Sequence, residues 1–182
     1  DRSGADFYKV VSQVKEKLGA KPIVMQIPIG EEDEFKGLVD LIENKAYIWD
    51  EDNFGVKYNE VPIPEDLKET AEKYRNEIIE GAAEDNEELL DKFLESPESI
   101  TKEELIASVR KATIDLKITP VFCGSSFKNK GVQKLIDAIT YYLPSAIEIP
   151  PVTGENPFTQ KEETRSPSTE EPFSALAFKI AT

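Results

Sequence analysis

An apolar run, Ile118-Thr119-Pro120-Val121-Phe122, passes directly into the polar loop Cys123-Gly124-Ser125-Ser126-Phe127-Lys128-Asn129-Lys130-Gly131 and then into an amphipathic stretch closed by Pro144. The run has the length and character of a buried strand. After the loop, Val132, Leu135, Ile136, Ile139 and Tyr142 recur at helical spacing and define the expected packing side of a helix over 131–143. Proline cannot continue that helix, so Pro144 ends it. Strand, polar loop, helix is the unit of an α/β sheet, whose ligands gather beyond the carboxyl ends of the strands. The loop at 123–131 is therefore the first candidate for a site.

Upstream, the pattern changes twice. Asp6 is placed to cap a helix carrying Phe7, Val10, Val11, Val14 and Leu18, with Gly19 as its terminator. Lys21 to Ile29 reads as one strand, followed by apolar runs at Phe35 to Leu41 and Lys45 to Trp49, the turn-rich segment Asp50 to Gly55, and a short run at Val56-Lys57-Tyr58. These predict a small meander of strands. From Pro64 the period becomes helical, with Leu67, Ala71, Tyr74, Ile78 and Ala82 on one stripe. Asn86 caps a further helix, and Thr101 with Glu104 makes a capping box that opens a third. Pro144, Pro150, Pro151, Pro157, Pro167 and Pro172 mark 144–172 as a linker or wrapping loop, and 173–180 alternates as a half-buried strand does. Both ends read as cuts through something longer.

The chain has 182 residues, 22 Lys+Arg against 36 Asp+Glu, and a formal net charge of -14. That balance argues against a surface that tracks a phosphate backbone and favours a basic partner. There is no histidine and one cysteine, Cys123, so no internal disulfide forms and the commonest metal ligand and proton shuttle are missing. Cys123 has no histidine base and reads as a small residue at a strand end. Acid pairs such as Glu31 with Glu34 or Asp50 with Asp52 lack the glycine and fixed oxygen positions of a calcium loop, so no metal-ligating or catalytic residue is assigned. No apolar run approaches the roughly 20 residues that cross a bilayer, and a reducing, cytoplasmic setting is expected. Tyr47, Trp49 and Phe54 read as closing the edge of a small sheet, with an exposed recognition patch as the alternative.

Several strings, in order and at matching intervals, resemble bacterial translation elongation factor G. They are Asp1-Arg2-Ser3-Gly4-Ala5-Asp6-Phe7, Gln26-Ile27-Pro28-Ile29-Gly30, Gly37-Leu38-Val39-Asp40-Leu41, Cys123 through Gly131, and Glu171 through Thr182. The resemblance covers essentially the whole chain and starts at the final Asp of the family's Asn-Lys-Met-Asp guanine-recognition motif. It implies an α/β fold: part of a P-loop-type GTPase domain carrying an α+β insert subdomain. Residues 1–20 and 118–143 would belong to the GTPase core, 21–117 to the insert, 144–172 to a linker and 173–182 to the first strand of a second domain.

The same resemblance implies a parent that binds GTP and GDP with Mg2+, acts on the ribosome and drives movement of tRNA and mRNA. Asp1, Ser125, Ser126 and Phe127 fall at its guanine-binding positions. A carboxylate at Asp1 accepts from both the ring N–H and the exocyclic amine of guanine, a pair that adenine lacks, which disfavours adenine by about 2–5 kcal/mol. Amides around Ser125 and Ser126 donate to the guanine carbonyl, and Phe127 to Lys130 brace the loop. Ser126 stands where the family more usually has Ala. Without the preceding Asn and Lys, Asp1 is expected to fray. These 182 residues contain no glycine-rich phosphate loop or switch region, so hydrolysis and tight nucleotide binding are not expected of them alone.

Between Glu65 and Glu98 acids far outnumber bases, and Glu65, Glu69, Glu72 and Glu80 project away from the apolar stripe. One reading is a solvated face that keeps the protein soluble. The other is a steering surface for a basic partner, and the resemblance adds that this insert contacts the ribosomal stalk protein. An acidic stalk-binding module without catalysis is therefore the alternative function. Incomplete core faces would leave the chain a monomer or a non-physiological oligomer.

Overall fold

A computed structural model describes residues 1–50, 54–84, 86–175 and 179–180. It divides into two compact units, Asp1–Leu143 and Pro144–Thr182.

In the first unit, α1 (Phe7–Leu18) starts where the Asp6 side chain accepts the Lys9 amide at 2.9 Å. It stops at Gly19, whose φ of 62° is the left-handed conformation a helix end requires. The run expected as one strand over Lys21–Ile29 divides at Met25. β1 (Pro22–Val24) pairs in parallel with β6 (Thr119–Val121), setting Ile23 opposite Pro120. β2 (Gln26–Ile29) pairs antiparallel with β3 (Gly37–Asp40), setting Ile27 opposite Val39. The Met25 amide donates to Val121 at 2.9 Å and its carbonyl accepts from Leu41 at 3.1 Å, so one residue closes the first ladder and opens the second. Side-chain alternation is blind to this change of partner, because the backbone stays extended through it.

β4 (Lys45–Trp49) and β5 (Tyr58–Val61) complete a four-stranded sheet of order β2-β3-β4-β5. β5 starts later than the Val56-Lys57-Tyr58 run expected, and Val56 is exposed. Tyr47 and Trp49 are buried, in keeping with a sheet-closing role, whereas Phe54 is 88% exposed. Glu51, Asp52 and Asn53 of the acidic loop lie outside the described residues.

After Pro64, Glu65–Leu67 forms a single 3-10 turn and α2 spans Lys68–Ala83, so Glu65 precedes the helix instead of riding on it. α3 (Glu87–Glu95) is capped by Asn86, and α4 (Lys102–Ile114) by the Thr101–Glu104 box. Ile78 of α2 and Leu105 and Val109 of α4 are fully buried with Ile27 and Val39 of the sheet. Each such side chain contributes about 1.5–3 kcal/mol through removal from water.

α5 (Val132–Tyr142) follows Gly131, which sits at φ 87°. Its packing side is only partly the one the sequence indicated, which included Tyr142 and the half-buried Val132. Ala138 and Tyr142 are buried, while Leu135, Ile136 and Ile139 are exposed. The helix carries apolar residues on two faces, and periodicity gives the spacing of a face without saying which one meets the core. Ala138 is small enough to let the helix approach closely, and the Arg110 guanidinium fastens its far end by donating to the carbonyls of Tyr141 at 2.9 Å and Leu143 at 2.8 Å.

The second unit contains more order than the linker expected at 144–172. β7 (Val152–Glu155) and β8 (Glu162–Arg165) form an antiparallel hairpin with Val152 opposite Arg165. The prolines flank these strands without interrupting them, which preserves the ladder amides. The Asn156 side chain organises the turn by accepting the amides of Phe158 at 2.9 Å and Thr159 at 3.2 Å. Of the strand expected at 173–182, Leu176, Ala177, Phe178, Ala181 and Thr182 lie outside the described residues; Phe173 and Ile180 are exposed and not in a strand.

Candidate functional site

The loop after β6 is a closed turn. Ser125 and Lys130 exchange backbone bonds, amide to carbonyl at 2.8 Å and 2.9 Å, and the Asn129 amide donates to Ser126 at 3.2 Å. Asn129 takes the left-handed φ of 53° needed to bring the chain back. The Ser125 side chain is buried, and its oxygen accepts the Lys128 amide at 3.0 Å.

Its hydroxyl hydrogen goes to Asp1. Ser125 Oγ donates to Asp1 Oδ2 at 2.6 Å across 124 residues of sequence. The Gly4 amide donates to Glu32 Oε1 at 2.6 Å, a second hydrogen bond made by the first residues. Carboxylate oxygens have lone pairs to spare, so Asp1 retains acceptor capacity beyond the serine. A cleft of about 270 Å³ opens beside it, bordered by Phe7, Tyr8, Glu32 and Cys123.

This geometry refines the roles read from sequence. The Ser125 amide is engaged by Lys130, so it is not available to a ligand; Ser126, exposed at the turn, is the residue whose amide remains. Phe127 does not brace the loop, because its ring is 93% exposed. Bracing comes from Lys128, Asn129 and Lys130, and from two residues that sequence reasoning passed over, Gly55 and Gln133. Burial pushes the Cys123 thiol up to about 12, which keeps it protonated and supports its reading as a structural residue.

The acidic residues separate into two environments. Glu69 and Glu72 are exposed on α2 with no cation at ion-pair distance among the described residues. Glu65, in the turn before the helix, pairs with Lys68 at 2.6 Å. Glu80 is also exposed but borders a cleft that contains Lys15 and Lys21. The four acids therefore do not form one uniform ridge. Among the described residues, no group of three or more His, Cys, Asp or Glu is arranged to hold a metal ion.

A second polar cluster had no signal in the sequence. Glu43, in the turn between β3 and β4, accepts hydrogen bonds from the Tyr47 hydroxyl, Lys102 Nζ at 2.5 Å and Lys134 Nζ at 2.9 Å. Lys134 Nζ also lies 3.8 Å from the Tyr47 ring centroid. Glu43 thereby ties the sheet to α4 and α5, which carries the loop before it.

The fold and loop define a mixed α/β protein with a strand-end loop closed over by a distant carboxylate. The chain is similar in sequence, from end to end, to elongation factor G. It is 58% identical to that of Amoebophilus asiaticus, 53% to that of Karelsulcia muelleri and 49% to that of Cytophaga hutchinsonii, in each case over all 182 residues and 26% of the relative. The chain thus spans about a quarter of the length of the curated relatives it matches. A crystal structure of a protein from Thermus thermophilus aligns with a TM-score of 0.67 at 28% identity, over 81% of this chain and 22% of that one. No protein-family model matches.

Proposed function

We propose that this chain is the guanine-recognition wall and insert of a GTP-hydrolysing translation elongation factor, one that promotes movement of tRNA and mRNA through the ribosome in the cytoplasm. The observation that carries this reading is the 2.6 Å bond between Asp1 and Ser125. It brings together the residues that two separate stretches of elongation-factor-like sequence put at a guanine site. Residues 1–20 and 118–143 serve as GTPase core, 21–117 as the insert, 144–172 as a connection containing the hairpin, and 173–182 as the start of a second domain. No helix among the described residues is long and apolar enough to cross a membrane.

In this reading Asp1 accepts the ring N–H and exocyclic amine of guanine, Ser125 orients that carboxylate, and the Ser126 amide donates to the guanine carbonyl. The exposed Phe127 ring offers an apolar face beside the base. When bound, GTP supplies the phosphoryl group that is transferred to water, and Mg2+ neutralises its charge. No residue of this chain is assigned to Mg2+ or to the phosphates, which need a phosphate loop elsewhere in the parent. The chain alone is expected to bind GDP no tighter than about 1 mM, since base contacts are all it provides. Calorimetry that returned micromolar affinity would refute this assignment of roles.

The exposed Glu69 and Glu72 favour a second role for the same chain, engagement of a basic face of the ribosomal stalk protein. Long-range attraction raises association rates at low salt and is screened within about 10 Å at 0.1 M. Reversing both to lysine is expected to slow stalk association about three- to tenfold at low ionic strength, with unfolding midpoints almost unchanged. Stopped-flow association rates that are equal for both proteins would leave the acids with solubility alone.

A further inference from the structure

The recognition loop is held from outside by the connections of the antiparallel sheet. Lys130 Nζ, in a buried side chain, donates to the Phe35 carbonyl at 3.1 Å ahead of β3. Asn129 Nδ2 donates to the Phe54 carbonyl at 3.1 Å, and Gln133 Nε2 to the Gly55 carbonyl at 2.9 Å, both in the β4–β5 connection. Gln133 Oε1 accepts from the Trp49 indole at 3.4 Å, which joins the brace to a side chain only 2% exposed.

Gly55 brings the two loops into backbone contact. At φ 73° it lies so close that a Cβ would overlap the Asn129 carbonyl oxygen and stand 2.8 Å from that of Lys128. Neither atom belongs to a flexible side chain, so a methyl group there must displace one backbone or the other. The same contact forms one side of a cleft of about 400 Å³ that reaches Phe127. The bonds from Lys130, Asn129 and Gln133 all end on carbonyls of connections in the sheet, and none of them reaches Ser126 itself.

We propose that the Phe54–Gly55 turn is a positioning element for the recognition loop, and that it sets how strongly guanine is preferred over adenine. The proposal rests on the guanine-wall reading given above. An amide donor is effective over a window of only about 2.7–3.2 Å. A shift of a fraction of an ångström at Asn129, transmitted through the closed turn to Ser126, is enough to lose the bond to the guanine carbonyl. None of the loop residues is assigned a ribose or phosphate contact, so the shift is read through the base. Gly55, Asn129 and Gln133 thus act through Ser126 and touch no part of the nucleotide.

The test uses the full-length elongation-factor polypeptide that carries these residues, with GDP and ADP affinities measured by displacement of a fluorescent nucleotide. Two variants are compared. Gly55→Ala forces the backbones apart, and Gln133→Glu keeps the acceptor for Trp49 while removing the donor to Gly55. In both, GDP binding is expected to weaken about tenfold with ADP binding within about twofold of the parent, so that the guanine preference falls about tenfold. If Gly55→Ala does not fold, Gln133→Glu carries the test. A purely structural role would lower both affinities in proportion or change neither, and either result overturns the proposal. A parent protein with no preference for GDP over ADP would refute the guanine wall itself, a failure distinct from that of the brace.

Discussion

Glu43→Ala lowers the stability of the 182-residue chain by about 3 kcal/mol, seen as a lower urea midpoint followed by the fluorescence of Trp49, its single tryptophan. The magnitude follows from what the deletion leaves behind. The Lys134 side chain is 11% exposed and that of Glu43 22% exposed, so their 2.9 Å pair is substantially withdrawn from water. Removing one partner of a buried pair costs about 3–5 kcal/mol, because the remaining charge is neither solvated nor compensated. The lower end applies here, since Lys134 keeps its approach to the Tyr47 ring and Lys102 is 40% exposed. Glu43→Gln retains an acceptor and is expected to lose less. A midpoint for Glu43→Ala within about 0.5 kcal/mol of the parent would mean that the cluster does not hold the sheet to α4 and α5.

The same cluster gives this prediction a pH dependence of definite sign. Burial pushes the Glu43 carboxyl up, but the hydrogen bonds from Lys102, Tyr47 and Lys134 outweigh it and hold the group at about 2, against an ordinary 4.5. A carboxylate depressed in the folded state contributes stability that is fully present above about 4.5 and is lost as pH falls toward 2. Asp40, three residues earlier, works in the opposite direction: burial raises it, so protonation on acidification favours the folded form at that site. The difference in stability between the parent and Glu43→Gln should therefore shrink as pH falls from 5 to 2. A difference that is constant over this range would remove the ion pairs as its cause.

Legibility in the sequence tracked the range of the interaction. Helix ends were readable because their signals lie within four residues: Asp6, Asn86 and the Thr101–Glu104 box all cap the helices they were expected to cap. The recognition loop was readable as a unit for the same reason, because its closing bonds span Ser125 to Lys130. The double life of Lys21–Ile29 was not readable, since pairing with β6 and with β3 depends on residues far along the chain while the local alternation is the same for both. The face of α5 was readable only in part, at Val132 and Tyr142, because one helix offers two apolar faces. Glu43 gave no signal at all: its three partners lie 4, 59 and 91 residues away. Gly55 stood in plain view within a turn, where its φ of 73° favours glycine on its own account, but the second demand, from the backbone of Asn129, is one that only the fold brings near.

At Gly37 a neighbouring strand alone demands the glycine, and the effect of replacing it is large. Its backbone lies in β3, flanked by β2 and β4, and it pairs with Ile48. A Cβ at Gly37 would overlap the Tyr47 carbonyl oxygen and stand 3.0 Å from the Ile48 Cα. Both are main-chain atoms of the adjoining strand, so relief requires β3 and β4 to separate. The consequence extends to the recognition loop, because Leu38, the next residue, packs with Tyr47, Trp49 and Cys123, and its Cδ2 lies 3.3 Å from where a Cβ on Gly131 would be. Gly37→Ala is accordingly expected to cost about 3–4 kcal/mol, at the upper end for overpacking because main chain and not side chain must yield. Gly154→Ala provides the contrast: nothing lies within 4 Å of the added carbon, and the change should stay within about 0.5 kcal/mol. Urea midpoints decide the matter, read from Trp49 for Gly37→Ala and from far-ultraviolet circular dichroism for Gly154→Ala, which lies in the second unit. Midpoints equal to the parent's for both alanine variants would show that β3 and β4 tolerate a methyl group at this crossing, and with it that the packing of Leu38 beneath the loop is not fixed by Gly37.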